Sequence, residues 1–238
     1  MKRTISIFAT LCLALAGCSK SDSDPGISFN VSSLSLYADQ THQLFQSSSD
    51  VNVTSSNDFA ATVSKRGLVT AKHVGSATIS AGSSTCQVTI KPRYTPYPDP
   101  YTTWGASKST VKAKLGTPYS ETTTGLVYQI SSTTIAAYQF ENDKLTGVGV
   151  AVSTAYTSQI SSALVERYVM INANPSANFG DIIAMYINAN SLEAATVVVG
   201  IELVNINAFL IIYIPNTAPT SRSSYDYFKE QFKIMSQK

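Results

Sequence analysis

Residues 61–90 read ATVSKRGLVTAKHVGSATISAGSSTCQVTI. Apolar and polar positions alternate within short runs at 61–64, 68–71, 77–81 and 86–90, the period of two that sends successive side chains to opposite faces of a strand. Lys65-Arg66-Gly67, Val74-Gly75 and Gly82-Ser83 break the runs with turn-forming residues. Upstream, the same pattern predicts strands at 27–31, 34–37, 42–46 and 51–55, with a break at Asn57-Asp58. Many short strands with no helical period between them predict a sandwich over 27–92. Cys86 shares a face with Val88 and Ile90 and is expected to be a small, buried apolar group. His42 and His73 are the only histidines, too few for a metal site and expected at the surface on strand ends.

The residues of this segment resemble the bacterial immunoglobulin-like group 2 domain. The likeness runs in order through Leu34-Ser35-Leu36, Gln43-Leu44 and Ser55-Ser56-Asn57. It continues through Ala61-Thr62-Val63-Ser64, Gly67-Leu68-Val69-Thr70-Ala71, Gly75-Ser76-Ala77-Thr78-Ile79 and Val88-Thr89-Ile90. The tryptophan usual before the Ser-Asn turn is absent, and Val53 is the nearest equivalent. The resemblance implies an immunoglobulin-like sandwich used as a spacer or ligand-binding unit of surface proteins and adhesins; a fold alone does not choose between these.

Ahead of the sandwich, Lys2-Arg3 and an apolar stretch at 5–16 lead to Leu15-Ala16-Gly17-Cys18. The apolar stretch is too short to cross a bilayer of about 30 Å as a helix, so residues 1–17 are read as a signal peptide. The Leu-Ala-Gly-Cys run resembles the lipobox of bacterial lipoproteins, which implies that Cys18 is the lipid attachment site and the mature amino terminus. Residues 18–26 are polar and aperiodic, a flexible tether. Their acidic residues are similar to the surface-export signal of Bacteroidetes lipoproteins, which implies an outer-membrane, lipid-anchored protein at the cell surface. The chain has 17 basic and 15 acidic residues, and loss of Lys2 and Arg3 leaves it neutral. A neutral chain lacks the footprint for phosphate neutralisation, so nucleic acid is not an expected partner.

Behind the sandwich, prolines at 92, 96, 98 and 100 make 93–103 an extended linker that carries Tyr94, Tyr97 and Tyr101 up to Trp104. Tyr97, Tyr101 and Trp104 have two readings: a flat aromatic platform for glycan or protein, or packing at the seam between the two units. Residues 104–238 are expected to form an α+β domain, helices packed on an antiparallel sheet. Ser107 is suited to cap a helix over 108–115, Val111 and Leu115 share a face, Gly116 fits its end, and Pro118 stops it. Strands are expected at 126–130, 135–140, 145–152, 182–187, 196–203 and 209–214, and helices at 157–171 and 225–235. The Gly105–Pro118 run, Tyr128 and the Phe140–Leu145 hairpin resemble the start of the SmpA/OmlA (BamE-like) lipoproteins, a fold shared with β-lactamase inhibitory proteins. An offset of 64 maps Leu145 to Phe209, Val148 to Ile212 and Val150 to Ile214 but fails near 126–130, which suggests a degenerate tandem with an insertion or deletion.

The rear domain has no histidine or cysteine, so it carries no Ser-His-Asp or Cys-His arrangement and no histidine-bearing zinc site. Phosphate-cradling glycine loops are missing as well, and no cofactor is expected. Among its carboxylates, Glu166, Asp181 and Glu202 would have to converge on a cleft to act on a glycosidic bond. Glu202 sits in an apolar run and is expected to face outward at a sheet edge; Glu166 lies beside Arg167 on a helix. The expectation is a non-enzymatic envelope lipoprotein, a surface binding module for glycan or protein held out by the front spacer. The alternative is a periplasm-facing assembly lipoprotein of the outer membrane, and behind that an inhibitor or carbohydrate-active enzyme.

Overall fold

The computed structural model describes residues 27–217. The signal peptide, Cys18, the tether and the helix expected at 225–235 lie outside the described residues.

The front unit holds seven strands: β1 (Ser33–Tyr37), β2 (Thr41–Gln43), β3 (Thr54–Ser55), β4 (Ala61–Val63), β5 (Leu68–Ala71), β6 (Gly75–Ala81) and β7 (Ser84–Lys91). They form two sheets, β1-β7-β6-β3 and β2-β5-β4, with β1 parallel to β7. Leu44, Val69, Ile79, Cys86, Val88 and Ile90 fill the space between, Val53 packs partly buried against them, and the unit is the expected β-sandwich. The stretch at 27–31 is not a ladder strand. Asn30 donates its backbone amide to the Leu44 carbonyl and its side-chain amide to the Gln43 carbonyl, each at 2.9 Å, beside the sandwich.

Gly67 shows why sequence and fold agree here. It turns the chain into β5 at a φ of +87°, and a Cβ there would lie 2.6 Å from both Cδ1 and the carbonyl oxygen of Phe45. Only glycine combines that backbone with that closeness.

The rear unit begins with α1 (Lys108–Leu115) and runs through β8 (Ser120–Glu121), β9 (Gly125–Ser131), β10 (Thr134–Glu141) and β11 (Lys144–Ser153). It repeats the scheme with α2 (Thr157–Arg167), β12 (Val169–Ala173), β13 (Ile182–Ile187), β14 (Val197–Asn205) and β15 (Ala208–Pro215). All eight strands make one sheet in the order β12-β13-β14-β15-β11-β10-β9-β8. A helix followed by a four-strand meander thus occurs twice, and the two meanders meet back to back through β11 and β15. The offset of 64 carries β10 onto β14 and β11 onto β15, whereas β9 lands beyond β13.

The sequence features at α1 act as read. Ser107 accepts from the Thr110 amide, and the Gly116 amide closes on the Lys112 carbonyl at a φ of +86°. The β10–β11 hairpin adds a second cap: Asn142 and Asp143 take φ of 50° and 58°, which brings Asp143 Oδ1 within 3.0 Å of the Lys108 amide. A carboxylate at the first turn complements the helix dipole.

Helix is a small part of this unit, since α1 and α2 hold 8 and 11 residues while β11 alone has 10. The described rear unit is therefore mainly β, and the α+β description overstates it. The helix expected over 157–171 stops at Arg167, and Val169–Ala173 joins the sheet edge instead. Pairing with β13 decided those β-branched and apolar residues, against a helical period that continued through them.

Candidate functional site

One face of the sheet is spoken for. Val111 of α1 and Ile160 and Leu164 of α2 pack on Leu126, Tyr138, Val150, Ile211 and Tyr213. The linker lies on that same core. Tyr97 is 7% exposed, and its hydroxyl meets the Tyr213 hydroxyl at 2.8 Å. Burial pushes both phenols far above their usual range. Tyr101 and Trp104 pack partly buried against this cluster, with Trp104 Nε1 donating to the Thr196 carbonyl at 3.0 Å. Of the two readings of these rings, packing describes their placement. Tyr97 has no free face to offer a sugar, a correction to the platform reading at that residue.

The end of α2 joins the two units. Glu166 Oε2 accepts from the Arg93 amide at 2.9 Å and the Tyr94 amide at 3.2 Å, while Oε1 faces Arg93 Nη1 at 3.6 Å. The Glu166 carbonyl takes the Val74 amide at 2.7 Å. Arg93 Nη2 reaches the Ala38 carbonyl at 2.8 Å, and its guanidinium lies over the Tyr37 ring. Arg167 Nε donates to Asp99 Oδ1 at 2.6 Å, and Nη1 to the carbonyls of Tyr94 and Ala163. Both Glu166 and Arg167, the expected neighbours on a helix, are buried. His73 completes the seam, stacked on Phe59 with centroids 4.3 Å apart. Burial holds its pKa below the usual value, with the Val165 carbonyl opposing.

The acidic residues do not share a cleft. Glu166 serves the seam, Asp181 accepts from the Asn178 amide in its own loop, and Glu202 is 8% exposed on β14, a central strand. Glu202 is thus not at an edge, because β13 and β15 flank β14 on both sides, and its burial rules out the outward, exposed position expected of it. His42 lies on β2 with Nε2 buried and without a hydrogen-bond partner. Among the described residues no group of three or more His, Cys, Asp or Glu side chains is placed to hold a metal.

The opposite face of the sheet carries the distinctive feature. Its register aligns Val127, Ala137, Gly149, Ile212, Gly200 and Met185 in one row from β9 to β13. Toward the tip, Gln129, Ile135, Ala151, Leu210, Glu202 and Ile182 form the next. Where the small residues Ala137, Gly149 and Ala151 fall together, a trough of about 470 Å³ opens, walled by Val127, Ile135 and Leu210. Thr122, Thr124 and Gln139 supply its polar rim. Gly149 keeps the floor low: a Cβ there would come within 3.3 Å of Leu210 Cδ1. Ile135 is 46% exposed and Ala137 is exposed beside it, so the wall stands open to solvent. Sequence reading missed the trough, because small residues on alternate strand positions look the same under a cover as in the open.

No curated protein matches the chain. Residues 27–92 match the bacterial Ig-like domain (group 2) family, so the front sandwich is similar to that domain in sequence as well as in architecture.

Proposed function

We propose that this chain is a non-enzymatic, lipid-anchored protein of the bacterial envelope that presents the trough on its rear sheet to a protein partner at the cell surface. An Ig-like module of group 2 points to a bacterial surface or adhesion role. The observation that carries the reading is the open apolar trough on a sheet whose other face is fully packed. Its floor is aliphatic and its rim is limited to hydroxyls and one amide, which suits an apolar segment of protein better than a sugar. The seam holds the front unit against α2, so the trough is carried by a spacer joined through partly buried hydrogen bonds instead of a loose hinge.

Cys18→Ala is expected to release the protein from the membrane fraction, because the thiol is the acylation point. Unchanged fractionation would remove the anchor from this reading. On whole cells, external protease is expected to cut the wild-type chain. Protection would favour the periplasm-facing alternative. Ile135→Asp places a charge in the trough wall without touching the core and is expected to weaken partner binding on the order of tenfold or more. Equal binding by the variant and the wild type would contradict a partner seated there.

A further inference from the structure

The front unit has a concavity of its own, where residues 27–30 run beside residues 43–46. Asn30 ties the two segments together through its backbone and side-chain amides. Beside that tie lies a cleft of about 520 Å³, within the size range of small-ligand sites. Its aromatic wall is Phe29, whose ring lies parallel to that of Phe45 with centroids 5.7 Å apart. Phe45 is buried and Phe29 only half-buried, so the inner ring backs the outer one and holds it flat.

The polar groups of the cleft are amides. Gln43 Nε2 donates to the carbonyls of Phe45 and Arg66, and its Oε1 has no partner among the described residues. Asn30 Nδ2 is committed to the Gln43 carbonyl, which leaves Asn30 Oδ1 as an acceptor in the same way. Gln46 is exposed, and its side chain makes no hydrogen bond among the described residues. Two acceptors are thus set in place before a ligand arrives, and a third amide offers both donor and acceptor. Among the described residues, no charged side chain lines the cleft.

That chemistry narrows the ligand. An extended peptide finds no strand edge here, because Leu44 donates its amide to Gly67 and accepts from Asn30, and the Phe45 carbonyl is taken by Gln43. A phosphate or carboxylate finds no cation to pair with. A neutral sugar fits the whole set. Its hydroxyls donate to the fixed amide oxygens and accept from the Gln46 amide, while an apolar C–H face lies on the flat Phe29 ring.

We infer that this cleft of the front unit binds a neutral sugar through Phe29, Asn30, Gln43 and Gln46. The site stands whether or not the trough on the rear sheet takes a partner. Calorimetric titration of the full chain with cellotriose, maltotriose and the trimer of N-acetylglucosamine tests it. At least one trimer is expected to bind, and Gln46→Ala and Phe29→Leu are each expected to weaken that binding about tenfold. Ile135→Asp, on the rear sheet, leaves the sugar affinity unchanged. If Phe29→Leu does not accumulate, Gln46→Ala decides, since its side chain is exposed and holds nothing else in place. No binding of any trimer at millimolar concentration, or wild-type affinity in either variant, would overturn the site. Tighter binding of a galacturonic acid trimer than of the neutral ones would overturn the neutral class.

Discussion

Gly67→Ala is expected to destabilise the front sandwich strongly. The added methyl meets Phe45 at 2.6 Å on both ring and carbonyl, and the residue must hold a φ of +87° that an L side chain resists. Overpacking and left-handed strain each cost about 1–3 kcal/mol, and a sandwich of this size has only about 3–10 kcal/mol to lose. Relief by movement of Phe45 is blocked on one side, because its carbonyl belongs to the backbone and cannot swing away as a ring can. Gly82→Ala is the control: its φ is +56°, but nothing lies within 4 Å of the new methyl. A thermal scan should show the unfolding transition falling by about 15 °C for Gly67→Ala and by a third of that or less for Gly82→Ala. Equal shifts would mean that backbone strain alone matters and that the Phe45 contact is relieved.

Glu166→Ala should separate the two units. It leaves the Arg93 and Tyr94 amides without their acceptor and deprives the Arg93 guanidinium of its counter-charge. Arg93 is partly exposed and the two amide bonds are only partly buried, so the loss comes mainly from amides left without an acceptor, about 2 kcal/mol in all. Calorimetry should resolve one unfolding transition into two, and protease should gain access to the linker at 93–103. Glu166→Gln keeps one acceptor and should fall between. The same seam gives a pH dependence through His73, whose burial depresses its pKa below 6.5, with Lys72 adding to the depression and Asp39 opposing it. The unfolded histidine binds its proton near pH 6.5 and the folded one only at lower pH. Stability from this site is therefore complete above pH 6.5 and declines as pH falls below it. A flat stability profile between pH 7 and 5 in the wild type, after comparison with His73→Phe, would contradict that assignment.

What the sequence made legible was local. The alternation of β6 and β7, the Gly67 turn and the Ser107 and Gly116 ends of α1 are decided by near neighbours, and each was readable one residue at a time. The misreadings come from distant contacts. Val169–Ala173 continues a helical pattern and becomes a strand because β13 lies alongside. Glu166 and Arg167 are legible only as neighbours on a helix, and residues more than 60 positions away in the linker partner them. Glu202 was misplaced for the same reason, because strand order makes β14 central instead of an edge. Tyr97 was readable as platform or as packing at the seam, and its meeting with Tyr213, 116 positions on, places it in the rear core. The trough is the extreme case. Its character depends on which strands are covered, and no spacing within Ala137, Gly149 or Ala151 records that.

The central claim is that the open half of the rear sheet is the working surface, and a photo-crosslinking residue at Ala137 in the full chain in its own cells tests it most directly. The account predicts one discrete envelope protein captured from Ala137, lost on adding Ile135→Asp, and not captured from Thr62 on the front sandwich. The same yield from both positions, or capture from Ala137 that survives the charged wall, would contradict it.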